Sequence, residues 1–423
     1  MSQTLDDVRK IEVVLKVAER CNINCSYCYM FNKGNEEYSD LPAYIRQSTV
    51  EEIAHFLANG ARDLNCKDVS IGLHGGEPLM IKKERYVEIC ETFIRIISPV
   101  AKVDFTMQTN AVLVDEEWME IFRKYKIQIG VSIDGPREYN DRARLDHQGR
   151  STYDGTVRGI RMLQGEGSHL KAGVGGLAVI DPHVDAKKIY RHMVDVLGIR
   201  KFDFLLPIET HDTFDESTLP LYAKYLCDAF DEWVTDDDTG IRIRMFTNML
   251  SYFTRGKEYA TRENHYIFNR WILMTIDSNG GIGPDDALKP LNGGLFAQNV
   301  REVSLKQFVL SPLMQDLRAA EMALPEACAD CAWQTYCKGG GHYGRFANRF
   351  SSRNGFDNPT IFCGALKQLY AHAAKRLIES GVEYERVVAS LEYSGTRQQQ
   401  APAAIRSTNA SFGGRKTIPI HMA

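Results

Sequence analysis

The sequence predicts an α/β fold in which helices cover a parallel sheet. Short apolar runs alternate with longer amphipathic stretches from about residue 11 to residue 235, about six times in all. Parallel strands need a long crossover connection, usually a helix, so this repeat favours a parallel sheet. An open sheet and a closed barrel fit equally well, and both gather functional groups at the carboxyl ends of the strands. The strand candidates are Glu12–Ala18, Val69–Leu73, Val103–Met107, Gln128–Ile133, Ala172–Val179 and Phe202–Leu206.

Length and composition are those of an ordinary globular protein. The 423 residues predict two or three domains, at roughly 150 residues per domain. Apolar residues make up 44% and charged residues 25%, which excludes a wholly disordered chain, a collagen-like fibre and a disulfide miniprotein. The net charge of −4 gives no electrostatic reason to expect nucleic acid or an anionic membrane as a partner. Without a membrane-length apolar stretch or a secretion signal, we expect a cytoplasmic protein.

Local signals predict where several elements begin. Thr49, with Glu52 three residues later, predicts a capping-box helix start, and Asp115, Asp154 and Asp185 are each placed to cap a helix. Later in the chain, an Asn-Gly turn between two apolar runs predicts a β-hairpin over residues 272–282. Further helices are expected over residues 218–233 and 365–378.

Ten cysteines are unusual for a chain expected in a reducing compartment. In such a compartment, clustered cysteines indicate metal or redox chemistry rather than structural disulfides. Three cysteines stand singly among apolar neighbours and are predicted to be small buried hydrophobic residues: Cys66, Cys90 and Cys227. The other seven form two groups, the first of Cys21, Cys25 and Cys28, and the second of Cys328, Cys331, Cys337 and Cys363.

The first group has the spacing CxxxCxxC and follows the first predicted strand directly. Three thiolates so close together can hold one face of a four-iron cluster, which takes four ligands. The remaining iron would offer an open coordination position for a substrate or cofactor, as open catalytic zinc sites do. A zinc loop is the alternative that this spacing leaves open.

This motif, with Tyr27 directly before the last cysteine, resembles the signature of the radical S-adenosylmethionine (SAM) enzymes. The resemblance covers roughly residues 10–210. It implies a partial (β/α)6 barrel and a [4Fe-4S] cluster at Cys21, Cys25 and Cys28, with SAM on the fourth iron. It also implies reductive cleavage of SAM to methionine and a 5′-deoxyadenosyl radical, which abstracts a hydrogen atom from the substrate.

Motifs at the ends of the next strands extend the resemblance. The Gly-Gly-Glu-Pro sequence that ends with Pro78 looks like the family's motif for the SAM amino group, and its glycines allow the backbone to approach a ligand. Ser132 resembles a polar contact to the SAM ribose or carboxylate. Arg144 resembles an arginine that pairs with the SAM carboxylate, a task suited to a guanidinium. The implied SAM contacts are Tyr27, Gly75, Gly76, Glu77, Asn110, Ser132 and Arg144.

The second cysteine group has the spacing CxxCx5C and a distant fourth cysteine. Four ligands close a site, which predicts a cluster that stores or passes electrons, or a structural metal such as zinc. The region resembles the SPASM extension of radical SAM peptide-modifying enzymes, whose full form carries two auxiliary clusters. Asp285 and Gly341 stand where that pattern has cysteines. We therefore expect one auxiliary [4Fe-4S] cluster, at Cys328, Cys331, Cys337 and Cys363.

Further resemblances concern the reaction. Asp286 falls where sulfatase-maturing relatives carry an acidic group thought to act as a base, and a carboxylate could take the proton released when a substrate radical is oxidised. Residues 339–343, 354–359 and 204–207 resemble segments of the cyclophane-forming maturases of ribosomal peptides. In that subgroup an aromatic ring of the precursor peptide is joined to the β-carbon of a residue two positions along.

The sequence thus predicts a radical SAM maturase that crosslinks a precursor peptide, with an electron donor such as flavodoxin or ferredoxin. Two alternatives stay open, an anaerobic sulfatase-maturing enzyme that forms formylglycine and a non-catalytic iron–sulfur protein. Because only about ten residues precede the first strand, we expect no leader-binding domain there. The expected divisions are a radical SAM partial barrel at 1–240, a bridge with a β-hairpin at 241–327, a SPASM-like cluster domain with a closing helix at 328–380, and a disordered tail at 394–423.

Overall fold

One sheet of ten strands lies at the centre of the structure, a computed structural model that describes residues 8–165, 168–170, 173–255, 271–291, 294–340 and 346–391. The strands are β1 (Lys10–Ala18), β2 (Asp68–Gly75), β3 (Lys102–Thr109), β4 (Gln128–Ser132), β5 (Gly175–Val179), β6 (Lys201–Leu205), β7 (Arg242–Ile243), β8 (Trp271–Ile276), β9 (Gly281–Gly283) and β10 (Gln298–Asn299). Their order is β10-β9-β8-β1-β2-β3-β4-β5-β6-β7. Neighbours from β8 to β7 are parallel, and β9 and β10 add an antiparallel edge.

Helices follow the strands of the sheet and continue into the C-terminal part. The first eight are α1 (Gln47–Asp63), α2 (Lys83–Ile97), α3 (Glu116–Tyr125), α4 (Arg137–Asn140), α5 (Tyr153–Gln164), α6 (Ala186–Arg191), α7 (Leu219–Asp236) and α8 (Arg244–Arg255). The later ones are α9 (Leu305–Val309), α10 (Pro312–Met322), α11 (Gln334–Cys337), α12 (Cys363–Glu379) and α13 (Tyr384–Leu391). Among the described helices, none is both long enough and apolar enough to cross a membrane.

The predicted α/β fold with a parallel sheet is confirmed. Each of the six strand candidates corresponds to an observed strand, β1 to β6. Within the described ranges β10 and β7 form the two edges of the sheet, so the barrel is partial. The core runs along β1, where Ile11, Val13 and Leu15 are fully buried between the sheet and its helices.

The predicted hairpin is confirmed in β8 and β9, but β8 has a second role that its sequence does not reveal. Ile272 of β8 lies opposite Ile11 of β1 in a parallel pairing that runs from Lys10 to Leu15. The hairpin therefore extends the barrel's own sheet on the far side of β1. This pairing puts the hairpin turn at residues 277–280 on the carboxyl edge of the barrel, beside the end of β1.

Two of the predicted helix caps are confirmed and two are wrong. The carboxylates of Asp115 and Asp185 accept hydrogen bonds from backbone amides in the first turns of α3 and α6. Thr49 is buried inside α1, which begins two residues earlier without a side-chain cap. Asp154 lies in the first turn of α5, where it pairs with the side chain of Arg137 instead of capping. In both failures the helix begins further upstream than its capping signal.

Helix α5 packs directly onto the loop that follows β3. A β-carbon on Gly159 would lie 2.1 Å from the backbone oxygen of Ala111, so only glycine permits this approach. One turn earlier, the Thr156 hydroxyl donates a hydrogen bond of 2.9 Å to the backbone oxygen of Asn110. The helix therefore fixes the loop that carries Asn110, one of the predicted site residues.

Gly159→Ala is expected to lower the free energy of unfolding by about 1–3 kcal/mol, the usual range for overpacking, because the methyl group would meet a backbone atom. Gly155→Ala is a control in the same helix, where the new β-carbon would lie 3.1 Å from a Val112 methyl group. There a helix-propensity gain of up to about 1 kcal/mol offsets the crowding. Urea unfolding followed by circular dichroism measures both variants, and equal costs would contradict the packing argument.

Candidate active site and auxiliary centre

The first cysteine group lies in the loop directly after β1, at the carboxyl edge of the sheet. Cys25 is buried and the other two thiols are partly buried. The backbone amides of Asn24 and Ser26 donate hydrogen bonds of 2.7 Å and 3.1 Å to carbonyls of residues 143–145. The loop is therefore held by the segment that follows β4.

The glycines of the second-strand motif allow β2 to end against this loop. A β-carbon on Gly75 would lie 2.2 Å from the oxygen of Ala18, and one on Gly76 would lie 2.3 Å from the oxygen of Arg20. The Gly76 amide donates a hydrogen bond of 2.8 Å to the Ala18 oxygen. Glycine is required here because two stretches of backbone lie in contact.

Glu77 links the ends of β2 and β3. Its buried carboxylate accepts hydrogen bonds from the Thr109 hydroxyl at 2.7 Å, the Asn110 amide at 2.8 Å and the Leu79 amide at 3.1 Å. Burial raises the pKa of this carboxyl above its usual value, although these hydrogen bonds oppose the shift. Because Glu77 already binds the protein at three points, a direct contact with SAM remains a prediction.

Two other predicted SAM contacts, Asn110 and Ser132, also form hydrogen bonds with neighbouring side chains. The Asn110 side-chain amide donates 2.8 Å to the side-chain oxygen of Asn22, in the cysteine loop. The Ser132 hydroxyl accepts a hydrogen bond of 2.8 Å from Gln108 on β3. These bonds align the carboxyl ends of β1, β3 and β4.

Tyr27 and Arg144 meet in a buried network. The Arg144 guanidinium donates 2.7 Å to the Tyr27 hydroxyl, which donates 2.7 Å to the carboxylate of Asp134. Asp134 also accepts from the Val179 amide at 2.9 Å, so the network joins β4 and β5 to the cysteine loop. The Nε of Arg144 is buried and has no hydrogen-bond partner among the described residues. Asp134 was not among the predicted site residues, although it stands only two residues after Ser132, which was.

Asp286 lies in a second buried cluster, beside the end of β1. Its carboxylate pairs with the ammonium group of Lys16, a lysine whose exposed fraction is 0%. The hydroxyl of Tyr29, the residue after Cys28, donates 2.8 Å to the same oxygen, Oδ2. Burial alone would raise the pKa of Asp286, but Lys16 and these hydrogen bonds hold it well below its usual range. The sequence analysis did not identify Lys16 as a site residue. The one sequence feature that marks it is that it is a charged residue inside an apolar strand.

A neighbouring ion pair fixes the hairpin turn against β1. The Lys289 ammonium group donates 2.7 Å to the carboxylate of Asp277, and both side chains are buried. Glu19, at the end of β1, accepts a hydrogen bond of 3.2 Å from the Ser278 amide. Burial and the adjacent Asp277 charge raise the pKa of Glu19 to about 7.

The four cysteines of the second group line one cavity. In the described ranges no three His, Cys, Asp or Glu side chains stand close enough to hold a single metal ion. The four thiols line the cavity wall instead of converging on one point. Burial and the neighbouring thiols raise the pKa of Cys328 to about 12, and burial raises that of Cys337 to about 11. The lining is completed by Trp333, Gln334, Gly339, Pro359, Thr360 and Lys367.

The remaining cysteine predictions have mixed outcomes. Cys66 and Cys90 are buried as expected, whereas Cys227 is only partly buried. Asp285, at one place where the SPASM pattern has a cysteine, accepts a hydrogen bond of 2.9 Å from the Ala287 amide. Gly341, at the other such place, and the tail at 394–423 lie outside the described residues.

The region of the second group is attached to the end of β6. The Asn348 side chain donates 2.7 Å to the oxygen of Pro207, and the His211 amide donates 2.9 Å to the oxygen of Phe350. Within the segment 354–359, the Asn358 amide group donates to three oxygens, which closes the loop before Cys363. The segments 204–207 and 354–359, which the sequence analysis singled out, thus both make contacts that fix the region of the second cysteine group.

Residues 15–193 match the family model of the radical SAM superfamily. This chain is a radical SAM enzyme. The cysteine-type anaerobic sulfatase-maturating enzyme of Clostridium perfringens is 25% identical over 368 residues, which cover 85% of this chain and 94% of that relative. The serine-type anaerobic sulfatase-maturating enzyme of Bacteroides thetaiotaomicron is 24% identical over 387 residues, 86% of this chain and 89% of the relative.

Solved structures share the fold of this radical SAM enzyme. The structure described as native anSMEcpe with bound AdoMet matches at a TM-score of 0.70 and 20% identity, and covers 88% of this chain and 99% of that chain. A second structure is described as native anSMEcpe with bound AdoMet and Cp18Cys peptide. It matches at a TM-score of 0.70 and 20% identity, and covers 88% of this chain and 98% of that chain. The match extends beyond the barrel into the C-terminal part.

Radical SAM enzymes use SAM and a [4Fe-4S] cluster, and the residues at the end of β1 fit both. Burial raises the pKa of all three thiols above the usual value, so they stay protonated until a cation displaces their protons. Iron supplies that cation, and Cys21, Cys25 and Cys28 would be its ligands. The unpartnered Nε of Arg144 is suited to a carboxylate such as that of SAM.

The reconstituted radical SAM enzyme is expected to bind about eight irons per chain, four in each of two clusters. The double variant Cys328→Ala/Cys331→Ala is expected to keep about four, because it leaves the first group intact. Cys227→Ala, which removes an isolated thiol, is the control and should keep the full content. Iron and zinc analysis of anaerobically prepared protein measures all three. Zinc at the second group, or no loss of iron, would contradict the predicted ligands.

Lys16→Met is expected to destabilise the enzyme by about 3–5 kcal/mol, because it leaves the Asp286 carboxylate buried without its partner charge. The double variant Lys16→Met/Asp286→Asn should recover most of this loss. Lys102→Met is the matched control, since the pair of Lys102 with Asp104 is exposed and such pairs contribute at most about 1 kcal/mol. Urea unfolding compares the four proteins, and equal losses from the two lysine variants would disprove the pairing argument.

Proposed function

We propose that this radical SAM enzyme is a peptide maturase that oxidises a side chain of a bound peptide segment. The observation that carries the proposal is the placement of Asp286. Its carboxylate is kept ionised by Lys16 and is bonded to Tyr29, the residue directly after Cys28. An acceptor for a substrate proton is therefore fixed next to the loop that holds the cluster ligands.

The residues at the strand ends would hold the cofactors. When bound to the first cluster and reduced, SAM supplies a 5′-deoxyadenosyl radical that takes a hydrogen atom from the substrate. Gly75 and Gly76 keep side chains out of the space beside the cysteine loop. Arg144 would orient the SAM carboxylate through its unpartnered Nε, while its Tyr27 contact keeps the guanidinium in place.

Asp286 would act as the base of the oxidation. The two hydrogen bonds that the described residues donate to Asp286 both fall on Oδ2, so Oδ1 would be the oxygen that takes a proton from the substrate. Because Lys16 keeps the carboxyl ionised, Asp286 carries no proton of its own in the neutral pH range. The second cysteine group would hold an auxiliary [4Fe-4S] cluster as the outlet for the electron that the substrate loses.

Formylglycine formation is the reaction that the relatives favour. Two relatives that align with more than four fifths of this chain are named cysteine-type and serine-type sulfatase-maturating enzymes. One solved neighbour is described with a bound Cp18Cys peptide. On this reading the substrate is a peptide that carries a Cys or Ser, whose side chain loses two electrons and two protons. A Ser then becomes an aldehyde directly, whereas a Cys becomes a thioaldehyde that water hydrolyses to the aldehyde with release of hydrogen sulfide.

Cyclophane formation is the second candidate, and the auxiliary region favours it. Asp285 stands where the two-cluster pattern has a cysteine, and its carboxylate accepts a hydrogen bond from the local backbone. The ligand set of a second auxiliary cluster therefore lacks a cysteine at this position. The segment 354–359, which resembles the cyclophane-forming maturases, builds the loop before Cys363. Joining an aromatic ring to a β-carbon also removes two hydrogens, so the same base and electron outlet serve this reaction.

Incubation with SAM, dithionite and peptide decides between the reactions. We expect 5′-deoxyadenosine above the level of a Cys21→Ala control, whichever reaction occurs. A sulfatase-type Cys peptide that yields an aldehyde by tandem mass spectrometry supports formylglycine formation. A precursor peptide encoded beside the gene that loses two hydrogens and resists fragmentation between two residues supports crosslinking. Absence of 5′-deoxyadenosine above the control would refute an enzymatic role altogether.

Asp286→Asn is expected to slow peptide oxidation by about 10²–10⁴-fold, the usual contribution of a general base. SAM cleavage in the absence of peptide should continue, because Asp286 does not touch the predicted SAM contacts. Asp285→Asn is the neighbouring control, and its product rate should stay within a few-fold of the parent. A parallel loss of SAM cleavage and product formation in Asp286→Asn would show that the residue is structural.

A further inference from the structure

Arg349 is the largest fully buried side chain in the protein's described part, with an exposed fraction of 1%. It ends the 3-10 turn Phe346–Arg349, which lies between Cys337 and Cys363 in the chain. Its guanidinium donates hydrogen bonds of 2.9–3.3 Å to four backbone oxygens, those of Glu321, Ala323, Phe356 and Asn358. Every donor atom of the guanidinium thus binds a neutral carbonyl group.

These carbonyls belong to the two segments that carry cysteines into the cavity. Glu321 and Ala323 lie at the end of α10, shortly before Cys328. Phe356 and Asn358 lie in the loop before Cys363. A residue with one neutral donor could not bind both segments, whereas the planar fork of an arginine can.

The charge of Arg349 is not neutralised by a direct partner. Within the residues that the structure describes, no carboxylate forms an ion pair with its guanidinium. The groups that act on its charge at longer range are the carboxylates of Glu321 and Asp357 and the thiols of Cys328 and Cys337. A β-carbon on Gly339, which lines the cavity, would lie 3.8 Å from the central carbon of the guanidinium. The cation therefore lies behind the cavity wall, separated from the cavity by a residue without a side chain.

A buried charge that no contacting carboxylate neutralises is costly, and a further negative group that faces it lowers this cost. A four-iron cluster on four thiolates carries a net negative charge, and its reduction adds one electron. A fixed cation at short range in a low dielectric stabilises the more negative state. The cavity wall has the charge that such a cluster needs.

We propose that Arg349 is the buried counter-charge of the auxiliary [4Fe-4S] cluster, and that it raises the reduction potential of that cluster. The proposal rests on the auxiliary cluster of the proposed function. Arg349 acts as a positioning residue for the two cysteine segments and as an electrostatic one for the cluster. It thereby makes the cluster a better acceptor for the electron that the substrate loses.

The test is a redox titration of the full chain, followed by electron paramagnetic resonance. Cys21→Ala/Cys25→Ala/Cys28→Ala removes the first cluster, so that only the auxiliary signal is titrated. In this background Arg349→Gln removes the charge but keeps a donor for the carbonyls, and Arg349→Lys keeps the charge. At a fixed ambient potential, Arg349→Gln should lower the ratio of reduced to oxidised cluster at least tenfold, which is about 59 mV for one electron. Arg349→Lys should change it less than threefold.

Lys367→Met is the matched control, since Lys367 lines the same cavity but is exposed. It removes the same charge where water screens it, so its shift should be smaller than that of Arg349→Gln. An Arg349→Gln protein with full iron content and an unchanged potential would overturn the proposal. So would a shift in Arg349→Lys as large as that in Arg349→Gln, because geometry alone would then explain both.

The iron content distinguishes a failure of this proposal from a failure of the proposed function, which includes the auxiliary cluster. If Arg349→Gln cannot hold iron, Arg349→Lys decides: a full cluster at the parent potential supports the counter-charge. A lysine variant that also lacks the cluster, or holds it at a shifted potential, leaves Arg349 a purely structural role and overturns the proposal. If the parent with only the second cysteine group binds no iron, the auxiliary cluster itself is refuted, and the counter-charge with it.

Discussion

The buried ion pair between Lys16 and Asp286 is the constraint on which the active site depends. Lys16 belongs to the central strand β1, and Asp286 follows the hairpin strand β9, some 270 residues later in the chain. Each charge is tolerated in the interior only because the other is present. The pair therefore couples the barrel to the chain beyond it, and it places an ionised carboxylate beside the loop that carries the first cysteine group.

The same principle recurs around both cysteine groups. Glu77 holds the ends of β2 and β3, and the Arg144 network holds the loops after β1, β4 and β5. Arg349 does the equivalent for the two segments that bring cysteines into the second cavity. Loops have no regular backbone partners of their own, so buried polar side chains supply the bonds that fix them. Each thiol group is thus surrounded by a rigid polar frame.

The two proposed reactions would use the same residues of this protein. Formation of an aldehyde and formation of a carbon–carbon crosslink both remove two hydrogens, so both need a hydrogen-atom acceptor, a base and an outlet for an electron. The difference between them lies in the substrate that the open edge of the barrel admits. The names of the relatives favour a substrate with a Cys or Ser side chain. Asp285 and the segment 354–359 favour a peptide crosslink as the proposed product.

The sequence by itself determined the strand–helix repeat, the position of both cysteine groups and the glycines beside the first of them. These features are local, since strand periodicity, short cysteine spacings and turn glycines are written in neighbouring residues. Tertiary structure alone decided the parallel pairing of β8 with β1, the burial of Lys16, the partner of Asp286 and the four carbonyls around Arg349. Each joins residues far apart in the chain, and the worth of a buried charge depends on which distant group meets it.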